Sequence, residues 1–303
     1  MINIVGNRKW FFLISAVVLL VGILSLAVFG LDPGVDFSSG TTFTIRFEKD
    51  IDQATLRQAL ADIGYDTATI QGTSEGDYFI RLSEITPEER QDITDALKSS
   101  LDPGLTVRDY YQVSPVIATQ TARNAGIAVA VAAVAMLVYI AWAFRRMPNP
   151  FRWGTCAIVA LLHDVLVVMG IFSILGWVSG VQIDAMFITG MLTVVGYSIN
   201  NTVVVFDRIR ENYSKGVSKD FEVTVNASIM ETLARSINTS LTTLLVILAL
   251  YLFGGITIRY FVLVLLIGVV AGTYSSLLIA GPLLVVWHKA RTKRRLASGN
   301  SPA

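Results

Sequence analysis

Long apolar runs occupy most of this chain, and short charged stretches separate them. A helix of about 20 apolar residues is long enough to cross a bilayer. The pattern therefore predicts a polytopic α-helical membrane protein with six transmembrane helices. A hydrophobic share of 53% favours the same class over a soluble protein. The six runs lie at residues 10–29, 125–144, 153–175, 184–206, 240–253 with a polar lead-in, and 258–287.

The first apolar run has a second interpretation. Ser25-Leu26-Ala27 resembles a signal-peptide cleavage site, so the run would also fit a signal peptide that is removed. Its apolar part is long for the core of a signal peptide, which favours a retained transmembrane helix.

The polar region between the first two runs has the pattern of a small soluble domain. Asp50 with Gln53 predicts the start of a helix that ends at Gly64. A capping box at Thr86–Glu89 starts a second helix, which ends near Ser99. The resulting order β-α-β-β-α-β predicts an α+β domain of the ferredoxin-like type. Its strands are expected at 41–47, 68–71, 78–82 and 105–113.

Charge is segregated along the chain, although the net charge is only +1. Fifteen basic residues beside the apolar runs fall on one side of the predicted membrane, and the turn after Phe253, on the other side, has only Arg259. By the positive-inside rule both termini are cytoplasmic and the polar domain lies outside. The basic tail is interpreted as an orientation signal with some attraction to anionic membrane lipid. The basic residues are Arg8, Lys9, Arg145, Arg146, Arg152, Arg208, Arg210, Lys215, Lys219, Arg235, Lys289, Arg291, Lys293, Arg294 and Arg295.

The chain is thus predicted to have three parts. Residues 1–31 form the first transmembrane helix, 32–122 the extracytoplasmic α+β domain, and 123–303 a five-helix transmembrane bundle with the basic tail. The middle part holds 16 Asp and Glu against 7 Lys and Arg, which excludes a basic surface for nucleic acid. Two histidines, one cysteine and no phosphate-binding loop argue against a metal site, a cofactor and enzymatic chemistry.

The fourth apolar run carries polar residues at helical spacing. Gly190, Thr193, Tyr197 and then Asn200 or Asn201 recur every three or four residues, which places them on one face of the helix. Buried amides in lipid need hydrogen-bond partners, so this face is expected to point into a helix bundle. Two interpretations remain open: interhelical packing with amide hydrogen bonds, or a functional polar site.

Asp164 lies near the middle of the third run, where an aspartate costs about 2.5–3.5 kcal/mol on insertion scales. It should therefore be paired or functional. His163 is its neighbour in sequence but is expected on a different helix face, so we predict a partner on another helix. Arg235 and Asn201 both lie toward the inner leaflet and are expected to be able to meet.

Two further elements are predicted in the second half. Residues 221–233 fit a surface helix, separate from the fifth run. Gly268 and Gly272 form a small-xxx-small motif in the last run, which is typical of close helix packing.

Four segments resemble the SecF family, the smaller membrane subunits of the bacterial SecD–SecF complex of protein export. They are Gly34–Thr41 (GVDFSSGT), His163-Asp164-Val165, Gly196–Asn212 and Arg235–Thr243. Ser39 stands where the family usually has glycine. The resemblance covers the whole layout of six helices and one outer domain. It implies an RND-type protein of the inner membrane. The implied partners are SecD, the SecYEG translocon and translocating preproteins, and the implied energy source is the proton motive force.

One departure from the family affects the mechanism. The family has an aspartate in its proton path where this chain has Asn201, and an amide does not titrate. The resemblance therefore implies a proton path or polar network at Asp164, Asn201 and Arg235, with coupling expected through SecD or Asp164. The alternative is half of an RND-type small-molecule or lipid transporter, and a purely scaffolding role is the third hypothesis.

Overall fold

The computed structural model describes residues 3–72, 76–145, 147, 149–255 and 258–297, with side chains as far as Arg291. The chain forms two compact units. The membrane unit comprises residues 1–31, 128–181 and 186–303, and the outer unit comprises 32–127 and 182–185. Each unit has its own hydrophobic core.

The elements follow one another as α1 (Arg8–Val28), α2 (Val35–Ser38), β1 (Gly40–Arg46), α3 (Gln53–Asp62), β2 (Thr69–Gly72), β3 (Asp77–Leu82), α4 (Pro87–Ser100), β4 (Thr106–Val113), α5 (Pro115–Ala143), α6 (Pro150–Ser179), α7 (Ala185–Ser214), α8 (Phe221–Phe253), α9 (Arg259–Ser275), a π-helical turn (Ser276–Ala280) and α10 (Gly281–Ala297). Within the described residues, six helical spans are long and apolar enough to cross a membrane: α1, α5, α6, α7, α8 and the continuous stretch Arg259–Arg291. The predicted fold class is therefore confirmed.

Small residues let the membrane helices approach closely. Helices α1 and α6 meet at Gly22 and Gly170, where a Cβ on Gly170 would lie 2.5 Å from the Cα of Gly22. Ser25 and Ser173 share a hydrogen bond of 2.9 Å between the same two helices. Lipid supplies no hydrophobic drive for helix association, so close packing and interhelical hydrogen bonds hold such helices together.

The predicted packing motif of the last span is confirmed by its contacts with α7. A Cβ on Gly268 would lie 2.1 Å from Cγ2 of Val194, and one on Gly272 would lie 3.2 Å from the Cα of Ser198. Both glycines therefore face α7 with almost no space between the helices.

Residues 221–233 do not form a separate surface helix, so that prediction is wrong. They are the first turns of α8, which continues unbroken to Phe253. Asp220 caps its N-terminus by accepting a hydrogen bond of 2.9 Å from the Glu222 amide. No glycine or proline occurs between residues 221 and 253, so nothing in the sequence interrupts the helix.

The outer unit has the predicted ferredoxin-like order. Its sheet runs β2-β3-β1-β4 with every neighbouring pair antiparallel. Phe43 in β1 lies opposite Ile80 and Tyr110, and Leu56 and Leu60 of α3 are fully buried in the same core.

The two helix starts of the outer unit differ in how well they were predicted. The capping box of Thr86 and Glu89 is present, with proline at the first helical position. The cap of α3 is Asp52, which accepts from the Ala54 amide at 3.2 Å, and not Asp50. The helix begins at Gln53, so the residue next to it is the one that can reach its first amides.

The segment 32–36 is tied to the residues just before α7, all within the outer unit. The Gly34 amide donates to the carbonyl of Ile183 at 2.7 Å, and the Ile183 amide donates to the carbonyl of Asp32 at 2.8 Å. The carboxylate of Asp36 accepts from the amide of Ala185, the first residue of α7, at 2.8 Å. Its other oxygen accepts from the hydroxyl of Tyr111 at 3.0 Å. Asp36 therefore acts as the N-terminal cap of a helix that begins far away in sequence.

Ser39 has a strained backbone. Its φ of 62° and ψ of 170° lie in a region that glycine enters freely and that a side chain makes costly. Here the chain turns from α2 into β1, and Gly40 also has a positive φ of 125°. A glycine at position 39 would meet the same backbone geometry without that strain.

We expect Ser39→Gly to stabilise the outer unit by about 1 kcal/mol, because relief of roughly 1–3 kcal/mol of strain exceeds the entropy that glycine adds to the unfolded chain. Hydrogen exchange of the β1 amides in the purified full chain measures the change. Ser99→Gly, in the exposed last turn of α4, is the control, and it should lower stability because glycine weakens a helix. Unchanged or faster exchange in Ser39→Gly would contradict the expectation.

Candidate functional site

A buried carboxylate lies at the centre of the membrane unit. Asp164, on α6, has no exposed surface, and His163 beside it is 7% exposed. A carboxylate removed from water needs hydrogen-bond donors to offset the lost hydration. The surrounding helices supply them.

Three polar side chains from three helices contact Asp164. Ser275, the last residue of α9, donates to Oδ2 at 2.7 Å, and Ser198 of α7 donates to the same oxygen. On Asp164's own helix, Nδ1 of His163 lies 3.0 Å from Oδ1. We call His163, Asp164, Ser198 and Ser275 the polar centre.

Glycine is what allows the serines to reach the carboxylate. A Cβ on Gly272 would lie 3.2 Å from the Cα of Ser198 and 3.6 Å from Oδ2 of Asp164. Gly272 precedes Ser275 by almost one helical turn, so both lie on the side of α9 that faces α6 and α7. A larger residue at 272 would separate the helices that the polar centre joins.

The polar centre lies directly beside a break in helical regularity. The π-helical turn Ser276–Ala280 begins at the residue after Ser275. Such turns are rare overall, and those that occur are often found at functional sites. The wider turn offsets α10 from the face that α9 presents to Asp164.

A second polar cluster adjoins the first on α7 and α9, and it also includes α8. Ser240 of α8 is 3% exposed and accepts hydrogen bonds from Tyr197 at 3.0 Å and Thr273 at 2.7 Å. Tyr197 precedes Ser198 in sequence, and Thr273 is two residues before Ser275. The clusters thus link α6, α7, α8 and α9 through hydroxyl groups.

His163 also connects the polar centre to α1. Its ring stacks on Tyr274 at 6.0 Å between centroids. The Tyr274 hydroxyl donates to the carbonyl of Phe11 at 2.8 Å and accepts a weaker hydrogen bond from Ser15 at 3.4 Å.

The hydroxyl partners of Asp164 can form hydrogen bonds with either form of a carboxyl group. An ionised Asp164 accepts from both serines and from a His163 that carries its proton on Nδ1. If Asp164 gains a proton, one serine hydroxyl can rotate and accept a hydrogen bond from the protonated carboxyl group, since a hydroxyl both donates and accepts. Such a change needs only hydroxyl rotation and no movement of the helices.

The partners of Asp164 differ in part from the sequence-based expectation. Partners on other helices were predicted, and Ser198 and Ser275 lie on other helices. His163 was expected on a different face but contacts Asp164, because both side chains are long enough to reach each other from adjacent positions. The two serines were not predicted. The available signal was their spacing from glycine: Ser198 lies eight residues after Gly190, and Ser275 lies three residues after Gly272.

The structure does not bring Asn201 and Arg235 together. Asn201 is 5% exposed, and its Nδ2 has no hydrogen-bond partner among the described residues. Arg235 is exposed on α8, and no described contact joins the two. Asn201 belongs to the buried face of α7, whereas Arg235 is exposed on α8.

The buried face of α7 is rotated from the predicted polar face. Gly190, Val194, Ser198 and Asn201 are buried. Of the predicted residues, Tyr197 is half-buried and bonded to Ser240, while Thr193 and Asn200 are exposed in this chain. The Thr193 hydroxyl donates to the carbonyl of Thr189 on its own helix at 2.9 Å. The buried face is therefore shifted by one residue from the predicted face, because Ser198 and not Tyr197 lies in the contact between α7 and α9.

Two family models match the chain. The model described as protein export membrane protein SecD/SecF, C-terminal, matches residues 92–290, which include the whole polar centre. The SecD/SecF GG motif matches residues 24–51, which include Asp36 and Ser39.

Relatives with known names resemble the chain along nearly all of its length. The protein translocase subunit SecF of Thermobaculum terrenum is 46% identical over 300 residues, covering 95% of this chain and 94% of the relative. The protein of the same name from Anaerolinea thermophila is 42% identical over 306 residues, covering 100% and 99%.

Solved structures agree with these matches. The crystal structure of SecDF, a translocon-associated membrane protein from Thermus thermophilus, has a TM-score of 0.85 and 34% identity over 95% of this chain. A crystal structure of SecDF in its super-membrane-facing form has a TM-score of 0.70 and 34% identity over 98% of this chain. This chain spans only 39% and 40% of those two longer chains. It belongs to the SecD/SecF family of protein export membrane proteins, among the SecF subunits.

Proposed function

We propose that this chain is the SecF subunit of a SecD–SecF complex that assists protein translocation through SecYEG with energy from the proton motive force. The observation that carries the proposal is the match to SecDF. This chain aligns over 95% of its own length but fills 39% of the SecDF chain, which leaves the greater part for a SecD portion. SecD is therefore the proposed partner, and the chain has no enzymatic chemistry of its own.

The proposed location is the bacterial inner membrane, with both termini in the cytoplasm. The distribution of lysine and arginine supports that orientation. It places the outer unit on the side where an exported chain emerges, so that the outer unit would contact or restrain the emerging preprotein.

A depletion experiment tests this function. Cells depleted of the protein should export a secreted precursor more slowly, and the parent gene should restore the rate. Affinity-purified parent protein should carry SecD with it. Normal export in depleted cells would contradict the proposal, and a homo-oligomer without SecD would favour the half of an RND-type transporter instead.

Asp164 is the proposed proton-binding group of this subunit. Among the described membrane helices it is the one fully buried carboxylate, and its hydroxyl partners can serve either protonation state. Asn201, at the position where the family has an aspartate, cannot take that role because an amide does not titrate. Proton coupling in the complex would then run through Asp164 or through SecD.

We expect Asp164→Asn to insert and fold but to lose the part of its support for export that depends on the proton gradient. The amide keeps an acceptor for Ser198 and Ser275 but cannot exchange a proton. Asp164→Leu should also lower stability by about 1–3 kcal/mol, because it leaves the two buried hydroxyls without their acceptor. The measurements are precursor export with and without a proton gradient, and thermal unfolding in detergent.

Asp207→Asn is the matched control for Asp164→Asn. The Asp207 side chain is 54% exposed and pairs only with Arg210 on its own helix, so its loss should matter little. Full gradient-dependent export by Asp164→Asn would assign Asp164 a structural role only.

We expect Asn201→Asp to produce no gain in gradient-dependent export. Asn201 is buried and Arg235 does not reach it, so an aspartate there would lack the cation that favours its ionised form. Its charge would be costly and the carboxyl would stay protonated. The same export assay applies, with Asn200→Asp at the exposed neighbouring position as control. A clear gain for Asn201→Asp alone would show that the amide had disabled a working relay position.

A further inference from the structure

A groove lies between the start of α6 and the end of α10 in the membrane unit. Its volume is about 640 Å³. Its polar side is formed by Asn149, Arg152 and Arg291, and its apolar wall includes Phe151, Val286 and Trp287. No residue lining it is acidic in the part of the chain that the structure describes.

The two arginines make the groove positively charged. Arg291 donates a hydrogen bond to the side-chain oxygen of Asn149, which ties the end of α10 to the start of α6. A guanidinium group has five N–H donors, so this hydrogen bond leaves donors of Arg291 for a ligand. Two guanidinium groups within one groove match the oxygens of a phosphate, which arginine contacts in pairs.

The apolar wall selects among phosphate-bearing ligands. Phe151 is 73% exposed and Val286 is 38% exposed, although both adjoin charged residues. A free phosphate would use the arginines and leave this wall in contact with water. A phospholipid would cover both, with its headgroup at the arginines and an acyl chain along the wall.

The position in the fold points to the same ligand. The groove is at the ends of two candidate membrane spans, Pro150–Ser179 and Arg259–Arg291. Trp287 is of the residue type that favours the membrane–water interface. Basic pockets between transmembrane helices on the cytoplasmic side are suited to anionic lipid headgroups.

We propose that this groove binds an anionic phospholipid, with the headgroup phosphate between Arg152 and Arg291 and an acyl chain against Phe151, Val286 and Trp287. The site is separate from the polar centre and goes beyond the proposed role in export. Only its placement in the inner leaflet depends on the proposed orientation. Binding itself can be measured whichever way the chain is inserted.

Native mass spectrometry of the purified full chain, titrated with phosphatidylglycerol in detergent, tests the proposal. We expect Arg152→Gln and Arg291→Gln each to weaken binding roughly fivefold, and the double variant about 25-fold. Phosphatidylcholine, which is zwitterionic, should bind weakly to every form. Arg152→Lys with Arg291→Lys should recover only part of the affinity, because the charge is kept but the paired guanidinium contacts are lost.

The double variant Lys9→Gln, Lys219→Gln is the matched control. Both lysines are exposed and lie outside the groove, and the pair removes the same charge. Ala290→Leu should fill the apolar wall and weaken the lipid without removing charge. A melting temperature close to that of the parent shows that each variant is folded.

Four results would overturn the proposal. If the double arginine variant bound phosphatidylglycerol as tightly as the parent, the groove would not be the binding site. If the double lysine variant lost as much affinity as the double arginine variant, the binding would be general charge attraction. Displacement of the lipid by millimolar inorganic phosphate, with Ala290→Leu behaving as the parent, would assign the groove to free phosphate. Release of co-purified SecD by the arginine substitutions, with lipid binding unchanged, would assign it to a protein interface.

Discussion

A carboxylate that has no contact with water must be surrounded by donors, and the donors around Asp164 come from helices that are held close by glycine. Ser198 and Ser275 reach the carboxylate because Gly272 lets α9 approach α7. Gly268 serves the same contact one turn earlier, against Val194. The buried acid of α6 would therefore be costly without the small residues of the last span, because those residues let the hydrogen-bond donors reach it.

The described groups in contact with the acid are two hydroxyls and one histidine, with no lysine or arginine among them. A permanent positive charge beside Asp164 would fix the carboxylate in its ionised form. Hydroxyls stabilise either form, since each can donate or accept. The neighbouring cluster at Ser240 is likewise built from hydroxyl groups, those of Tyr197 and Thr273. This composition is compatible with the proton-binding role proposed for Asp164.

Sequence patterns predicted the elements well and the contacts poorly. Six spans follow from the length of apolar runs, and the capping box at Thr86 follows from a local motif whose partners are three residues apart. The spacing of small and polar residues also indicated that one face of α7 is buried, but it chose Thr193 and Tyr197 where the structure buries Val194 and Ser198. One residue is a rotation of about 100° on a helix, so a small error in phase exchanges the contact residue for its neighbour.

Other differences have the same origin in tertiary structure. The separation of Asn201 from Arg235 depends on how α7 and α8 are rotated against each other, which periodicity does not determine. The strain at Ser39 is visible only in its backbone angles. The resemblance to the family had indicated only that glycine is usual at that position. The groove beside Arg152 and Arg291 joins residues from the third and the last span, and no local pattern relates them.

The cap of α7 has a consequence for the order in which the chain is built. The carboxylate that receives the first amide of α7 belongs to Asp36, 149 positions earlier in the chain. Asp36 also bonds Tyr111 on the last strand of the outer sheet, so the two ends of the outer unit meet at the same residue. During synthesis Asp36 and Tyr111 are made before residue 185, so α7 starts on a capping carboxylate that is already part of the chain. The first residue of α7 is thus held within the outer unit by a carboxylate that was made 149 positions earlier.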